Sequence, residues 1–260
     1  MKLLNFFGLN ISSFSKEEII FSLQKASKNS ESKIYYGYSL AVLSYLKKIP
    51  EYYKITSQFD IMVTDGRLFY LLAKFFGINL KYDISIPRLT LLSLDIANKE
   101  KYNVILVGAN KESNKNAQNN IIKKYPDMNS CVGIDGYFNF EKRNEIYTEI
   151  LNAKPNLLLI GLPTPQKQIF ALEIKNKLKD CAIIPCGGMI DVLAGKEKLT
   201  PIWIKKLGLA SIYRHIQHPK RIPELIHIYF LSVKVFIICF YLKYIKKSKN
   251  INIPSIILKK

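Results

Sequence analysis

Residues 156–168, with the sequence NLLLIGLPTPQKQ, constrain the fold more than any other stretch of this chain. An apolar run ends at Gly161 and is followed by two prolines, which is typical of a strand that is buried on both faces and leads into a tight loop and then a helix. Such a strand belongs at the centre of a parallel sheet. Because ligands of these sheets bind beyond the carboxyl ends of the strands, residues 161–168 are expected to line a binding crevice.

Strands and helices alternate along the first 200 residues. The apolar runs predict further strands at residues 33–38, 60–65, 103–108, 130–136 and 181–187. Helical patterns predict helices at residues 40–53, 68–76, 114–124 and 141–153. This rhythm predicts an α/β fold with a Rossmann-like open, mostly parallel sheet and helices on both faces. We divide the chain into a core at residues 1–200 and a helical, basic C-terminal appendage at residues 201–260.

Positive charge is concentrated in the appendage. The 260 residues carry 39 Lys and Arg against 20 Asp and Glu, a formal net charge of +19. From residue 196 onwards there are 14 basic residues against two acidic ones, so +12 of that excess lies in the last quarter of the chain. A basic cluster of this kind indicates an anionic partner, which could be a phosphate group, a membrane surface or a nucleic acid.

The four cysteines and the N-terminal residues indicate a reduced, cytosolic protein. Cys131, Cys181, Cys186 and Cys239 show no close pairing of the metal-site kind, and the first three lie in or beside strand-like runs that favour core positions. The start MKLLNFFGLN is too short and too quickly polar for a signal peptide.

Glycines and acidic residues follow the predicted strands and should gather at one edge of the sheet. The sequence contains no GxGxxG after a strand, no GxxxxGK[ST], and no two aspartates two residues apart. Cations or backbone amides would therefore have to neutralise a phosphate leaving group, and helix N-termini after Gly161 and Gly188 supply amides.

Asp65, at a strand end before Gly66, is a candidate general base; the alternative is that it only caps the next helix.

Several motifs together resemble the WecG/TagA/CpsF family of bacterial glycosyltransferases. In chain order they are TDG at 64–66, NVILVG at 103–108, YPDMN at 125–129, DGYF at 135–138, KPNLLLIGLPTPQKQ at 154–168, GGMIDVLAGK at 187–196 and KKLGL with YRHIQHPKR within 205–221. The resemblance implies a metal-independent, inverting transfer from a UDP-sugar to a sugar on polyprenyl pyrophosphate, with no cofactor. Family members build teichoic acid linkage units, capsules and exopolysaccharides.

The resemblance also implies roles for individual residues. Asp65 matches the family's catalytic base. Tyr137 would stack on uracil, unless it is a core residue, and Asp191 would bond the base or the ribose. Arg214 and Arg221 match arginines thought to close over the site and meet a pyrophosphate, unless they are solvated surface residues. The full set of implied substrate-binding residues is Thr64, Gly66, Gly108, Asp135, Gly136, Tyr137, Gly161, Thr164, Pro165, Gln166, Lys167, Gln168, Gly187, Gly188, Asp191, Arg214 and Arg221.

The sequence departs from the family pattern at several positions. Ser39 and Lys167 stand where the family has asparagine and glutamine, and Gln168 replaces a glutamate. The segment YDISIP at 82–87 lacks the glycine-acid pair of the family. Leu199 replaces an arginine, and Ala210 and Ser211 replace Glu-Trp. These changes leave the donor sugar open between N-acetylmannosamine, its uronate and another hexose. They also leave a second interpretation open, in which the protein is a degenerate member of the family that binds a UDP-sugar or lipid without catalysis. A basic nucleic-acid-binding protein is the remaining alternative, which the apolar tail fits poorly, so we expect no nucleic acid partner.

Residues 226–245 are apolar and aromatic but are interrupted by Lys234 and Lys243. We expect an interfacial segment with Lys243, Lys246 and Lys247 as anchors to an anionic membrane surface. The alternatives are a spanning helix, or a helix buried on the protein or in a homo-oligomer. We therefore expect a cytoplasmic protein, peripheral on the inner face of the membrane. His215 and His218 are interpreted as surface residues, and no metal is expected.

Overall fold

The computed structural model describes residues 1–28, 31–217 and 219–258, and at residue 221 it describes the backbone without the side chain. The described strands are β1 Lys2–Phe6, β2 Leu9–Ser13, β3 Lys33–Tyr38, β4 Ile61–Thr64, β5 Asn103–Gly108, β6 Ser130–Ile134, β7 Leu157–Gly161 and β8 Ala182–Pro185. The described α-helices are α1 Lys16–Ala26, α2 Ala41–Lys48, α3 Tyr52–Thr56, α4 Arg67–Phe75, α5 Ile86–Lys99, α6 Lys111–Lys124, α7 Arg143–Ala153, α8 Gln166–Lys175, α9 Met189–Leu193, α10 Ile202–Lys206, α11 Ala210–Gln217, α12 Ile222–Phe240 and α13 Ile253–Leu258.

Six strands form a parallel sheet in the order β4-β3-β8-β7-β5-β6. Strand β7 lies inside the sheet, between β8 and β5. Its side chains alternate between two cores, because Leu158 and Ile160 pack on one face of the sheet while Leu157 and Leu159 pack on the other. All four side chains are buried, as expected for a strand covered on both faces. The predicted Rossmann-like fold is confirmed.

Helices cover both faces of this sheet. Helices α1, α5, α6 and α9 contribute buried residues to the core that contains Leu157. Helices α2, α3, α4, α7 and α8 contribute to the core that contains Leu158. The loops that follow the parallel strands are thereby left at one open edge, which is where a ligand can approach.

Two parts of the core differ from the sequence-based expectation. The predicted helix at residues 40–53 is two helices, because Pro50 lacks a backbone N–H and disfavours helical geometry at Ile49, so α2 ends at Lys48 and α3 begins at Tyr52. Helix α5 was not predicted from the sequence, although Pro87 in its first turn is a favoured position for proline. This helix matters because its first residue, Ile86, contacts the candidate site.

The two ends of the chain meet on the surface of the core. Strands β1 and β2 form an antiparallel hairpin, which the sequence interpretation also missed. Helix α13 docks on this hairpin, and the Ile253 N–H donates to the Phe7 carbonyl at 2.6 Å. The appendage therefore contacts the core. The domain boundary at residue 200 stays a prediction.

Helix α12 runs along the core and continues as a π-helical turn at Tyr241–Ile245. One face of α12 is buried, with Leu225, Ile228, Ser232, Val235 and Cys239 at helical spacing. The opposite face is apolar and exposed, with Ile226, Phe230, Val233 and Ile237. Among the described residues, Ile222–Ile245 is the one helical stretch long and apolar enough to cross a membrane, judged by length and composition only. The structure packs one side of this stretch on its own domain.

The lysines at the end of this helix do not act as one cluster. The Lys243 ammonium donates to the carbonyl of Phe76, at the C-terminal end of α4, and lies over the rings of Phe7, Phe76 and Tyr244. A cation at the negative end of a helix dipole, surrounded by aromatic rings, stabilises the packing of the tail on the core. The expectation that Lys243 anchors the protein to lipid is therefore wrong, whereas Lys246 and Lys247 are exposed.

Candidate active site

A cleft of about 900 Å³ lies at the carboxyl ends of the parallel strands. Its walls come from the loops after β3, β4, β6, β7 and β8 and from helices α11 and α12 of the appendage. Twelve of the predicted site residues line it: Asp65, Gly66, Gly136, Tyr137, Gly161, Thr164, Gln166, Lys167, Gly187, Gly188, Asp191 and Arg214. Residues separated by up to 149 positions in sequence are thus brought into one cavity.

Five predicted residues lie behind the wall of the cleft. Thr64 is buried at the end of β4, and Pro165 precedes the first turn of α8. Gly108 lies so close to β7 that a Cβ atom there would stand 2.5 Å from the carbonyl carbon of Gly161. Asp135 and Gln168 make internal hydrogen bonds, described below. The side chain of Arg221 lies outside the described residues, as does His218.

Asp65 follows β4 directly and is held by two backbone contacts. Its N–H donates to the Tyr38 carbonyl at 2.8 Å, which extends the pairing of β4 with β3. Its carboxylate oxygen Oδ1 accepts from the N–H of Ile86 at 3.0 Å. The N-cap of α4 is Gly66, without a side-chain capping bond, so the interpretation of Asp65 as a helix cap is wrong. No described residue donates to Oδ2, and the residue lines the cleft.

Gly37 makes the close approach of Asp65 to α5 possible. A Cβ atom at this position in β3 would lie 2.6 Å from the Cβ of Asp65 and 2.9 Å from the Cγ1 of Ile86. Atoms do not approach that closely without a shift of the backbone. The glycine is therefore part of the framework that positions the candidate base.

The loop after β6 presents an aromatic side chain to solvent. Tyr137 is 83% exposed at the rim of the cleft, so a core role for it is wrong. The next residue, Phe138, packs towards Phe140 and Phe170 and holds the loop on the core. The Tyr137 N–H donates to Oδ1 of Asp135 at 3.0 Å, which fixes the turn. An exposed, pre-positioned ring of this kind can stack on a flat ligand.

Lys167 contributes a basic side chain to the lining of the cleft. It lies in the first turn of α8, where the positive end of the helix dipole disfavours a cation. Its Nζ is 3.5 Å from the position that a Cβ of Gly187 would take, so it reaches across to the loop after β8. The neighbouring Gln168 points inwards instead, and its Nε2 donates to Tyr36 Oη at 2.7 Å and to Thr164 Oγ1 at 3.3 Å.

Cys186 and Asp191 complete this half of the cleft. Burial raises the pKa of Cys186, which lines the cleft, to about 12, so it is a thiol at neutral pH. All four cysteines are free. The predicted core positions are confirmed for Cys181 and Cys186, which are buried, whereas Cys131 is only partly buried. Asp191 Oδ1 lies 3.5 Å from the Lys196 ammonium. Within the described ranges, no three His, Cys, Asp or Glu residues lie close enough together to hold a metal ion.

The appendage closes the other half of the cleft. Gly208 packs on α4, with its Cβ position 3.1 Å from the Cγ of Leu68. Helix α11 then turns Ala210, Ser211, Arg214 and His215 towards the cleft. The interpretation of His215 as a surface residue is wrong: its Nδ1 lies 2.8 Å from the Ser211 carbonyl, and its Nε2 is buried without a hydrogen-bond partner among the described residues. The buried hydroxyl of Tyr229, on α12, is likewise unpartnered within that part of the chain.

Two further basic residues, Arg88 and Lys205, were not identified from the sequence, and neither lines the cleft. Lys205 on α10 is partly buried, and its pKa is lowered by burial and by the charges of Arg88 and Arg214, while the charge of Asp65 acts in the opposite direction. Arg88 lies in the first turn of α5, two residues after Ile86. Nothing in the sequence distinguishes Arg88 and Lys205 from the many solvated basic residues, because they approach one another only in the folded protein.

The open parallel sheet and the cleft at its carboxyl edge define a Rossmann-like α/β protein, and that edge is where such folds bind their ligands. The model of the family described as "Glycosyl transferase WecG/TagA/CpsF family" matches residues 4–250. The chain belongs to this family of glycosyltransferases, as the sequence motifs indicated.

Named relatives share about a quarter to a third of their residues with this chain. The N-acetylglucosaminyldiphosphoundecaprenol N-acetyl-beta-D-mannosaminyltransferase of Bacillus subtilis is 26% identical over 178 residues, which cover 68% of this chain and 69% of the relative. The UDP-Gal:alpha-D-GlcNAc-diphosphoundecaprenol beta-1,4-galactosyltransferase of Shigella boydii is 31% identical over 180 residues, covering 65% and 74%. A Staphylococcus aureus mannosaminyltransferase with the same name as the Bacillus protein is 29% identical over 142 residues, covering 54% and 55%.

Proposed function

We propose that this protein transfers a hexose from a UDP-sugar to a sugar carried on polyprenyl diphosphate, with inversion at the anomeric carbon and without a metal ion or other cofactor. The observation that carries the proposal is that Asp65 shares one cleft with Tyr137, Lys167 and Arg214. The acceptor class is supported by the relatives in Bacillus and Shigella, whose names both specify N-acetylglucosamine on diphosphoundecaprenol. Both names also specify a β-linked product.

The order of the strands supports one orientation of the UDP-sugar in the cleft. Asp65 follows β4 at one edge of the sheet, and Tyr137 follows β6 at the other. Five strand spacings separate these edges, which is roughly 24 Å. We place uracil against Tyr137, the donor diphosphate near Lys167 between them, and the transferred sugar towards Asp65.

In the proposed reaction, Oδ2 of Asp65 takes the proton from the acceptor hydroxyl. The hydroxyl oxygen attacks the anomeric carbon from the face opposite the diphosphate, and the bond from that carbon to the diphosphate oxygen breaks. UDP leaves with the electron pair of that bond. The positive charges of Lys167 and Arg214 stabilise the negative charge that develops on the leaving group, so no protonated acid is needed.

The transferred sugar is a hexose, and we leave it open among N-acetylmannosamine, its uronate and another hexose. The Bacillus and Shigella relatives differ in this respect, since one is named for a mannosaminyl group and the other for galactose. Ala210 and Ser211, where the family often has Glu-Trp, both line the cleft and leave room there. Lys167 adds a positive charge where the family has a neutral glutamine.

We further propose that the protein is peripheral on the inner face of the cytoplasmic membrane. The exposed face of α12, with Phe230 and Ile237, would enter the interface. Lys246 and Lys247, which follow it, would meet anionic head groups. Contact with the membrane is physically reasonable because a polyprenyl-linked acceptor stays in the bilayer.

The test is sugar transfer from a panel of radiolabelled UDP-sugars to synthetic N-acetylglucosaminyl-diphosphoundecaprenol in the presence of EDTA. We expect transfer from one donor, and a loss of about 10²- to 10⁴-fold in Asp65→Asn with UDP binding retained. Asp95→Asn, an exposed carboxylate on α5, is the matched control and should keep full activity. Absence of transfer with every donor would favour the non-catalytic, ligand-binding alternative. Undiminished transfer by Asp65→Asn would exclude the proposed base.

A further inference from the structure

An exposed aromatic patch joins the catalytic core to the appendage. The ring of Phe75, at the end of α4, lies 5.6 Å from the ring of Phe236 and 6.3 Å from that of Phe240, both on α12. It also lies 6.1 Å from the ring of Tyr244, which contacts Phe240 at 5.1 Å. Leu71 is one helical turn before Phe75 and on the same face of α4. We call Leu71, Phe75, Phe240 and Tyr244 the aromatic patch; each is between 39% and 51% exposed.

Two hydrogen bonds fix the core half of the patch to the appendage half. Tyr244 Oη donates to the Phe75 carbonyl at 3.2 Å, and the Lys243 ammonium donates to the Phe76 carbonyl. Both carbonyls lie at the C-terminal end of α4, where backbone carbonyls have no partner within the helix. The four side chains therefore form one surface, although they come from two parts of the chain.

The chain around the patch is basic. Lys74, Lys246 and Lys247 are exposed next to it in sequence. The sequence contains no Asp or Glu in residues 67–82 or 225–260. A second copy of this chain, docked on the patch by a two-fold axis, would bring two such basic surfaces together, which is unfavourable. An anionic lipid surface, in contrast, attracts the lysines and takes up the exposed rings.

We propose that the aromatic patch enters an anionic membrane surface, so that the core helix α4 contacts lipid together with the appendage. This inference rests on the proposed membrane association, which needs only the outer face of α12, and it adds a contact on the core. Aromatic side chains favour the boundary between head groups and acyl chains. An exposed apolar surface with a polar rim is also typical of an interaction site.

The contact would bring the candidate base close to the bilayer. Helix α4 begins at Arg67, two residues after Asp65, and its nine residues extend about 13 Å along the helix axis to Phe75. The head group of a lipid-linked acceptor has to reach Asp65 while its lipid chain stays in the membrane. A lipid contact at the far end of this one short helix meets that requirement.

Tryptophan fluorescence tests the contact at single positions. Trp203 is the one tryptophan of the sequence, so Trp203→Phe gives a background without tryptophan emission. Into this background we introduce Phe75→Trp in the patch, Ile237→Trp on the outer face of α12, and Phe21→Trp on α1, a control position that is 67% exposed. The vesicles contain equal amounts of phosphatidylglycerol and phosphatidylcholine, and the acyl chains of the phosphatidylcholine are brominated to act as the quencher.

We expect these vesicles to quench Phe75→Trp by about half or more, because a ring at the head-group boundary lies near the acyl chains. The emission of Phe21→Trp should stay unchanged. In co-sedimentation with the same lipids without bromine, Phe75→Ser should bind several-fold more weakly than the wild type, and Phe21→Ser should bind like it. Thermal unfolding checks that Phe75→Ser is folded, and Leu71→Ser, on the same face of α4, is the second variant.

The other outcomes separate this inference from the proposed membrane association. Quenching of Ile237→Trp without quenching of Phe75→Trp would confine the lipid contact to α12 and overturn the inference alone. If neither is quenched, both fail. Equal quenching of Phe75→Trp and Phe21→Trp would indicate unspecific adsorption and would also overturn the assignment. A dimer in solution that becomes monomeric in Phe75→Ser would assign the patch to a second copy of the chain.

Discussion

The carboxylate of Asp65 accepts a hydrogen bond from the backbone N–H of Ile86 at 3.0 Å, which ties the end of β4 to the first turn of α5. The bond occupies Oδ1 and leaves Oδ2 for a ligand. Since the N–H groups of a first helical turn have no partner within the helix, the carboxylate satisfies one of them and is held in a fixed direction. The orientation of the candidate base is therefore set by a helix that begins 21 residues later in the chain.

Gly37→Ala should misplace the base without touching the nucleotide half of the cleft. The new Cβ would lie 2.6 Å from the Cβ of Asp65 and 2.9 Å from the Cγ1 of Ile86, so one of these residues must move. Because a misplacement of about 1 Å can cost about 10²-fold in rate, we expect turnover to fall by one to two orders of magnitude. Steady-state transfer rates and the Kd for UDP check this prediction. Wild-type turnover in this variant would show that Asp65 is not positioned by this contact.

Tyr137→Ala should weaken nucleotide binding while leaving stability unchanged. The side chain is 83% exposed, so its removal costs little packing. Stacking of a base on an aromatic ring contributes about 1–3 kcal/mol, so we expect the Kd for UDP to rise roughly 5- to 150-fold. Tyr137→Phe keeps the ring and serves as the control, with near wild-type affinity. Calorimetric titration measures both. Equal loss of affinity in the two variants would indicate a role for the hydroxyl instead of stacking.

Lys205→Gln should stabilise the ligand-free protein. The folded-state pKa of Lys205 is lowered below its ordinary value of 10.5, so the folded protein binds fewer protons than the unfolded chain just below that pH. The unfavourable charge is fully present at neutral pH and is relieved as pH rises towards the ordinary lysine range. We therefore expect a higher Tm for the variant at pH 7 and a smaller difference between the two proteins at pH 9–10. A lower Tm for Lys205→Gln at pH 7 would contradict the charge repulsion.

Serine at Phe230 and Ile237 should reduce membrane retention without unfolding the protein. These side chains are 73% and 59% exposed on the outer face of α12, away from the buried face that contains Val235. Co-sedimentation with vesicles that contain anionic lipid should show a several-fold loss of binding. Phe21→Ser on α1 removes an equally exposed phenylalanine, 67% exposed, and should leave binding intact. If the double variant is retained as well as the wild type, α12 does not contact the lipid.

Local patterns were sufficient for the fold and for much of the cleft wall. The apolar run before Gly161 forms a strand that is buried on both faces, as predicted. A run of this kind can be recognised from the sequence because the pattern involves only residues that are neighbours in the chain. The parallel order of the strands then places their following loops at one edge. It predicts that Asp65, Tyr137 and Lys167 lie at the same edge, and all three line the cleft.

Tertiary structure decided what each of these residues contacts. Tyr137 was either a core residue or an exposed ring, and only the packing of Phe138 on Phe170 resolved this. Lys243 looked like a lipid anchor, yet it binds the Phe76 carbonyl 167 positions away.

The sequence by itself determined the alternation of strands and helices, the edge at which the site lies and the family to which the chain belongs. Only the folded chain shows that Ile86 orients Asp65 and that the charges of Arg88 and Arg214 act on Lys205. The physical reason is that secondary structure follows from local periodicity, whereas hydrogen bonds and charge interactions between distant segments depend on distances that exist only after the helices have packed.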